Sequence, residues 1–491
     1  MKAQITAIPK TSMDHEAVLE KLVSFKSLDP DWQEGRTWGL VYYANQAHSK
    51  LLKDAYGLFM SENGLNPMAF KSLKKMESEI IRMTVNLHHG NEETVGVMTS
   101  GGTESIMMAI KTYRDRAREL RPWIKKPEVI VPESVHVAFD KAGKYFDVKI
   151  VHAPLRDDFR VDVKAVKKLI NRNTILLVGS APQYPQGVID PLDDLSDLAL
   201  KKKLPLHVDA CVGGFMLPWI EKLGHKVALW DYRLPGVTSI SADLHKYGYA
   251  AKGASTITYR SMDYMKHQFF VFENWPGGIF ASPSMPGTRP GGAIAAAWAA
   301  LMSLGEEGYL KYTQEAYESA QKMIKGINQT PGLKVSGVPD SLIFAYESTD
   351  PAVNVFALAD QMEKRGWYIN RQQRPESLHA MVTMAHTKMV TKYLSDLTEC
   401  VAYVKAHPEA NSSGNAAMYG MMAKIPFRSM IKKSVHSMMQ QMYSASGEMP
   451  QAQSDEPQNL KEFAEKLGYS LLEVKREWDV VKEKIKQSWR G

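Results

Sequence analysis

With 491 residues, 44% hydrophobic and 23% charged, the chain has room for roughly two or three structural units with cores of their own. Its 61 Lys and Arg against 54 Asp and Glu leave a formal charge of +7, too mild for this length to mark a nucleic-acid binder. Only Cys211 and Cys400 are present, which excludes a disulfide framework and any Cys-rich zinc module.

The first 80 residues read as helices with irregular joints, broken at Pro30-Asp31 and at Asn63-Gly64-Leu65-Asn66-Pro67. No signal-peptide core occupies residues 1–21, and no run reaches the ~18 apolar residues that a membrane span needs. From Val95 onward, short apolar runs alternate with amphipathic stretches of helix length. Residues 95–98, 128–131, 148–151, 174–178, 206–208 and 237–240 read as strands, with helices at 104–120, 161–170 and 192–203. Buried strands separated by helices imply right-handed crossovers and a mostly parallel sheet flanked by helices, an α/β architecture. The Ala-rich run 291–304 reads as a buried helix. A helix at 312–327 leads into strands at 334–338 and 341–346 and a helix at 353–365, a smaller α+β unit.

Four units result: a helical segment 1–80, a large domain 81–327, a small C-terminal domain 328–443, and a linker with a helical tail, 444–491. Met418, Met421, Met422, Met430, Met438, Met439 and Met442 crowd the end of the small unit, where gap-filling of a packed interface is the commonest use of methionine. The charged amphipathic stretch 460–489 reads as a helix or helical pair folded back on the body. A soluble protein in a reducing, cytoplasmic compartment is expected, with export to a host cell left open.

Chemistry concentrates where open α/β sheets hold their ligands, just past the carboxyl ends of strands. Lys246 stands there, in Ser241-Ala242-Asp243-Leu244-His245-Lys246-Tyr247-Gly248-Tyr249. In a dry crevice a lysine gives up its proton readily and its amine is free to form a Schiff base, whereas a lone lysine in a loop is usually just solvated. Upstream, Leu206-His207-Val208-Asp209 puts His207 and Asp209 on one face of a strand. A buried aspartate demands a cationic partner, and a pyridinium nitrogen is one; capping of the next turn is the plainer alternative.

Thr99-Ser100-Gly101-Gly102-Thr103-Glu104 joins a strand to a helix whose N-terminal N–H groups suit an anion, with a hydroxyl of Ser100 or Thr103 to help. Alone, the same letters make an ordinary N-cap. In order and spacing with Asp209 and Lys246 they become a phosphate cup for a pyridoxal cofactor. His136, past the strand 128–131, offers a flat imidazole to stack on a planar ring. Lys252 and Arg289, flanked by glycines, suit phosphate contacts or solvated loops equally. No metal site is expected, because His88 and His89 are adjacent and face apart and no His-x-x-x-His pair or Cys/His quartet occurs; nor does a Gly-x-Ser-x-Gly elbow.

With those residues in place, the sequence resembles pyridoxal-phosphate enzymes of the aspartate-aminotransferase fold type I and, among the group II decarboxylase-like members, the sphingosine-1-phosphate lyase family. The resemblance runs from Trp32-Gln33-Glu34-Gly35-Arg36 to Tyr419-Gly420-Met421 and includes Val178-Gly179-Ser180-Ala181-Pro182-Gln183 and His245-Lys246-Tyr247-Gly248-Tyr249-Ala250-Ala251-Lys252-Gly253. It implies that Lys246 bonds pyridoxal 5'-phosphate, Asp209 pairs with the pyridine nitrogen, and His136 stacks on the ring. It also implies that Gly102, Thr103 and His245 contact the cofactor phosphate. Tyr42, Asn66, Lys252 and Thr288 fall at positions tied to the substrate phosphate or its entry, and Tyr249 is a candidate for proton transfer.

The activity implied is cleavage of the C2–C3 bond of a phosphorylated sphingoid base to phosphoethanolamine and a long-chain aldehyde. A homodimer with shared sites is implied too, together with transient contact with a membrane surface and no nucleic-acid partner. Asn66 departs from the family, where a histidine is common; an amide still donates a hydrogen bond there but carries no charge. The membrane anchor of eukaryotic members is missing, which suggests a soluble version. Amino-acid decarboxylation on the same scaffold is the alternative enzyme reading, and a cofactor-free binding scaffold is the non-enzymatic one.

Overall fold

The structure, a computed structural model, describes residues 7–412, 416 and 428–444. The expected linker and tail past residue 444, and Met418, Met421 and Met422, lie outside the described residues. Three helices lead the chain in: α1 (His15–Phe25), α2 (Gln46–Leu58) and α3 (Lys71–Leu87). Asp14 and Asn45 cap the first two, each carboxyl or amide oxygen accepting N–H groups that a helix start leaves unpaired. Helix α1 buries none of its side chains, whereas α3 buries Leu73, Ile80, Ile81 and Val85.

Seven strands form the main sheet: β1 (Val95–Thr99), β2 (Glu128–Pro132), β3 (Lys149–Ala153), β4 (Thr174–Ser180), β5 (Leu206–Asp209), β6 (Val237–Ala242) and β7 (Ser255–Tyr259). Their order is β1-β7-β6-β5-β4-β2-β3. Strands β6, β5, β4, β2 and β3 pair in parallel, and β7 is antiparallel to both β6 and β1. The six strands expected from the sequence are all present. Every residue of β2, β4, β5 and β6 is buried, as in a sheet covered by helices on both faces, although β6 carries Thr238, Ser239 and Ser241 among its apolar residues.

Strand β7 was not expected, because Ser255-Thr256-Ile257-Thr258-Tyr259 looks polar. All five residues are nonetheless buried, and their hydroxyls are satisfied: Thr256 donates to the carbonyl oxygen of Ala242 and Thr258 to that of Ile240.

The covering helices are α4 (Gly102–Leu120), α5 (Ala138–Phe146), α6 (Val163–Leu169), α7 (Leu192–Lys202) and α8 (Leu217–Lys222). After the short α9 (Met262–Met265), the hairpin β8 (Phe270–Trp275) and β9 (Gly278–Ser282) projects with Phe270, Phe272, Trp275 and Ile279 facing solvent. The 39-residue α10 (Gly291–Gln329) joins the expected helices at 291–304 and 312–327, interrupted at Gly305, whose φ of 55° breaks the helical run. Its first turns are buried, as the Ala-rich composition predicts.

A second, antiparallel sheet follows, made of β10 (Leu333–Val335), β11 (Ile343–Ser348), β12 (Asn370–Gln373) and β13 (Glu376–Met381) in the order β10-β11-β13-β12. Helices α11 (Val355–Glu363), α12 (Val390–Ala406) and α13 (Arg428–Met442) complete the described chain. Among the described residues no helix is long and apolar enough to cross a membrane.

Candidate active site

The carboxyl ends of β1, β4, β5 and β6 open on one cavity of about 570 Å³. Such a crevice is where an open parallel sheet leaves strand-end side chains and helix N-termini unpaired. Tyr42, Gly102, Thr103, His136, Asp209, His245, Lys246 and Lys252 all line it.

Helix α4 begins at Gly102, with Gly101 at its N-cap and no side chain capping it, so its first N–H groups remain for a ligand. A Cβ on Gly102 would fall 2.7 Å from Cys211 Sγ and 2.9 Å from Asp243 Oδ2, so only glycine lets the backbone come this close. The Ser100 hydroxyl donates to Glu104 Oε2 at 2.6 Å, and Glu104 Oε1 accepts the Met285 N–H at 3.0 Å. Ser100 is therefore occupied in fixing the loop, and Thr103 is left facing the cavity.

Asp209 ends β5 with its Oδ1 accepting the Cys211 N–H at 3.1 Å and the Ser241 hydroxyl at 3.4 Å. Behind it runs a buried chain of donors. Tyr113 donates to Ser239 at 2.8 Å, Ser239 lies 2.8 Å from His207 Nδ1, and His207 Nε2 lies 3.3 Å from Ser241 Oγ. Burial lowers His207 to about 4 despite the nearby Asp209, so the imidazole is neutral and relays hydrogen bonds rather than charge. Among the described residues no ion pair reaches Asp209. His136 faces the cavity, its ring fixed by the Ala138 N–H donating to Nδ1 at 3.2 Å.

Lys246 Nζ lies 2.9 Å from Asp243 Oδ2. The sequence led us to expect a lowered lysine pKa. Burial does pull that way, but the Asp243 carboxylate outweighs it and holds Lys246 above the usual lysine range. His245, lowered to about 4 by burial, accepts the Ala254 N–H at Nδ1, so its proton sits on Nε2. Lys252 lies 5.0 Å from the Tyr42 ring centre and is lowered to about 8 by burial and by Lys246.

Three expected site residues stand outside this cavity. Tyr249, with a φ of 52°, packs edge-on against Tyr312, and its carbonyl lies 2.9 Å from His48 Nε2. Asn66 accepts the N–H groups of Met68 and Ala69 through its side chain, and Thr288 accepts a hydrogen bond from Asn63. Arg289 makes no phosphate site: it is buried in an ion pair with Glu77 and donates to Gly64 and Met98 carbonyls.

Sequence reasoning passed over Asp243, Cys211 and Tyr184, all of which line the cavity. Asp243 carried the same signal as Asp209, a carboxylate at the end of a buried strand. Pyridoxal phosphate fits what is present. An uncapped helix N-terminus with two glycines suits the phosphate, Asp209 lacks a cation, His136 offers a flat face, and Lys246 supplies an amine. Among the described residues no group of three or more His, Cys, Asp and Glu is placed to hold a metal.

Residues 42–337 match the family model described as the pyridoxal-dependent decarboxylase conserved domain. The chain is 43% identical over 446 residues to sphingosine-1-phosphate lyase 1 of Rattus norvegicus, covering 90% of this chain and 78% of that protein. It is 44% identical over 435 residues to sphingosine-1-phosphate lyase of Arabidopsis thaliana, covering 87% and 79%. Among solved structures, the Burkholderia pseudomallei sphingosine-1-phosphate lyase superposes with a TM-score of 0.80 at 40% identity, covering 84% of this chain and 95% of that one. Lactobacillus brevis glutamate decarboxylase, with a TM-score of 0.72, 21% identity and coverage of 82% and 96%, shares the fold.

Proposed function

The chain belongs to the pyridoxal-dependent decarboxylase family and, within it, to the sphingosine-1-phosphate lyases, and on that premise we propose that it cleaves the C2–C3 bond of sphingosine 1-phosphate and its dihydro analogue. The products are phosphoethanolamine and a long-chain aldehyde. The observation that carries this reading is the convergence of Lys246, Asp209, His136 and the bare N-terminus of α4 on one cavity. Decarboxylation rests on the breadth of the family alone.

When bound, pyridoxal phosphate supplies a protonated pyridine ring that accepts the electron pair of the breaking bond. The chain's own residues do the rest. Gly102, Thr103 and His245 hold the cofactor phosphate, the last as a neutral donor through Nε2. Asp209, fed by the donor chain from Tyr113, keeps the pyridine nitrogen protonated. His136 fixes the plane of the ring, and Lys246 provides the attaching amine. Tyr42 and Lys252, side by side in the cavity lining, bind the substrate phosphate. The role of Tyr249 in proton transfer would have to act through its neighbours, since its ring packs on Tyr312.

The proposal includes a homodimer in which Asn66 and Thr288 serve the partner's site. Two features support it. Both residues stand outside their own cavity, beside a mostly apolar groove of about 660 Å³ lined by Leu65, Pro67, Phe70 and Val271. The exposed apolar hairpin β8–β9 lies along the same groove and gives a second copy something to cover. A soluble, cytoplasmic protein is proposed, organised as the four units expected and touching membrane surfaces to reach its substrate. The exposed Val18, Leu19, Leu22 and Val23 of α1 support that contact.

The test is a product assay on purified protein with sphingosine 1-phosphate. Phosphoethanolamine and fatty aldehyde are expected in equal amounts, and Lys246→Ala should abolish both. A cofactor-loaded protein that releases neither would refute the reading.

A further inference from the structure

We propose that Asp243 is a positioning residue that holds the Lys246 amine as an ammonium, parked against the phosphate cup, whenever that amine is not bonded to the cofactor. Cofactor capture then waits on a proton leaving this pair. The inference deepens the reading above and rests on Lys246 as the attaching residue.

Asp243 follows β6 directly and is 2% exposed, so its carboxylate cannot turn to solvent. One oxygen lies 2.9 Å from Lys246 Nζ, and the other accepts the Ser255 hydroxyl at 2.5 Å. Ser255 is itself held 2.9 Å from Ser105, and Ser105 lies 2.6 Å from Thr99. The carboxylate is thus fixed in direction by a row of hydroxyls. It also forms the wall of the cup, since its Oδ2 would be 2.9 Å from a Cβ at Gly102.

Of the other carboxylates lining the cavity, Asp209 is engaged by the Cys211 N–H and the Ser241 hydroxyl, and Glu104 by Ser100 and the Met285 N–H. The remaining titratable groups facing the pair supply no competing anion. Tyr42 and Tyr184 reach it from the chain ahead of α2 and after β4, and Cys211 from the turn after β5; burial raises all three. His245 is neutral, and Lys252 adds positive charge. A buried carboxylate and ammonium at this distance favour their charged forms together, because neutralising one partner alone leaves the other's charge in a poor solvent.

Condensation needs the neutral amine. The ammonium first gives one proton to water. The nitrogen lone pair then forms the bond to the aldehyde carbon, and the aldehyde oxygen leaves as water with the two remaining amine hydrogens. Asp243 sets how often the first of these events occurs.

The experiment follows capture of pyridoxal phosphate by the full-length, cofactor-free protein, reading the visible absorbance of the C=N chromophore against pH. In Asp243→Asn the rate should reach its plateau at lower pH, with capture at neutral pH faster by about tenfold or more, the change that one unit of lysine pKa brings. Asp243→Glu, which keeps the charge, should stay closer to the parent profile. Should the Asn variant not fold, acylation of the parent protein read by mass spectrometry decides: Lys252 should react at neutral pH while Lys246 resists. A parent-like pH profile in folded Asp243→Asn, or equal acylation of both lysines, overturns the proposal. Failure of the parent protein to capture cofactor at any pH, with Lys246→Ala identical to it, would instead sink the reading of the site on which the proposal stands.

Discussion

Two aspartates end neighbouring strands of one sheet, and they are provided for in opposite ways. Asp243, at the end of β6, has its cation within the chain, Lys246 at 2.9 Å. Asp209, at the end of β5, is also buried but meets N–H and O–H donors, the last links of a neutral chain that starts at Tyr113. A desolvated carboxylate without a counter-charge is costly, so in the proposed reading Asp209 awaits a cation from outside, whereas Asp243 already has one in Lys246. Glu77 gives the reference case, a buried carboxylate whose partner Arg289 lies within the chain and donates to the carbonyls of Gly64 and of Met98 in β1 rather than to a ligand.

Removing Asp209 breaks the comparison most severely. Asp209→Ala should lower kcat by about a thousandfold, the scale of losing a preorganised electrostatic partner, while Lys246 still attaches the cofactor. Steady-state rates and the absorbance of the bound cofactor, taken together, check this. On the Asp243 side, Lys252→Met should raise KM for a phosphorylated substrate about ten- to hundredfold, the worth of a charge-assisted hydrogen bond, and leave kcat nearly unchanged. Because Lys252 is lowered to about 8, the parent enzyme carries its positive charge below that pH and loses it above. KM measured against pH should therefore climb through that region in the parent and stay flat in the variant. At Glu77 the effect belongs to the fold. Arg289→Met strands the carboxylate and should cost about 3–5 kcal/mol in denaturant unfolding, with the spectrum of bound cofactor unaltered.

The legible parts of this chain were those where one physical cause acts at short range. Six strands announced themselves as short, largely apolar runs between stretches of helix length, and Lys246, Asp209 and His136 stood out because strand ends are where a parallel sheet offers its ligands. Strand β7 was hidden because its Ser and Thr hydroxyls are paid for by carbonyls and a carboxylate that only the folded sheet brings near. Tyr249 was a proton-transfer candidate on the family resemblance alone; a left-handed backbone turns the chain there and its ring joins Tyr312, a placement no local pattern encodes. Thr288 and Arg289 carried the right chemistry, but their surroundings are set by contacts more than 200 residues apart, which no local pattern encodes.

The contrast between the two aspartates is tested most directly by the protonation of the bound cofactor's pyridine nitrogen, read by NMR with nitrogen-15 in the ring. A protonated nitrogen is expected in the parent protein and in Asp243→Asn, and an unprotonated one in Asp209→Asn. A neutral nitrogen in the parent, or one that responds to Asp243 and ignores Asp209, would contradict the assignment of roles.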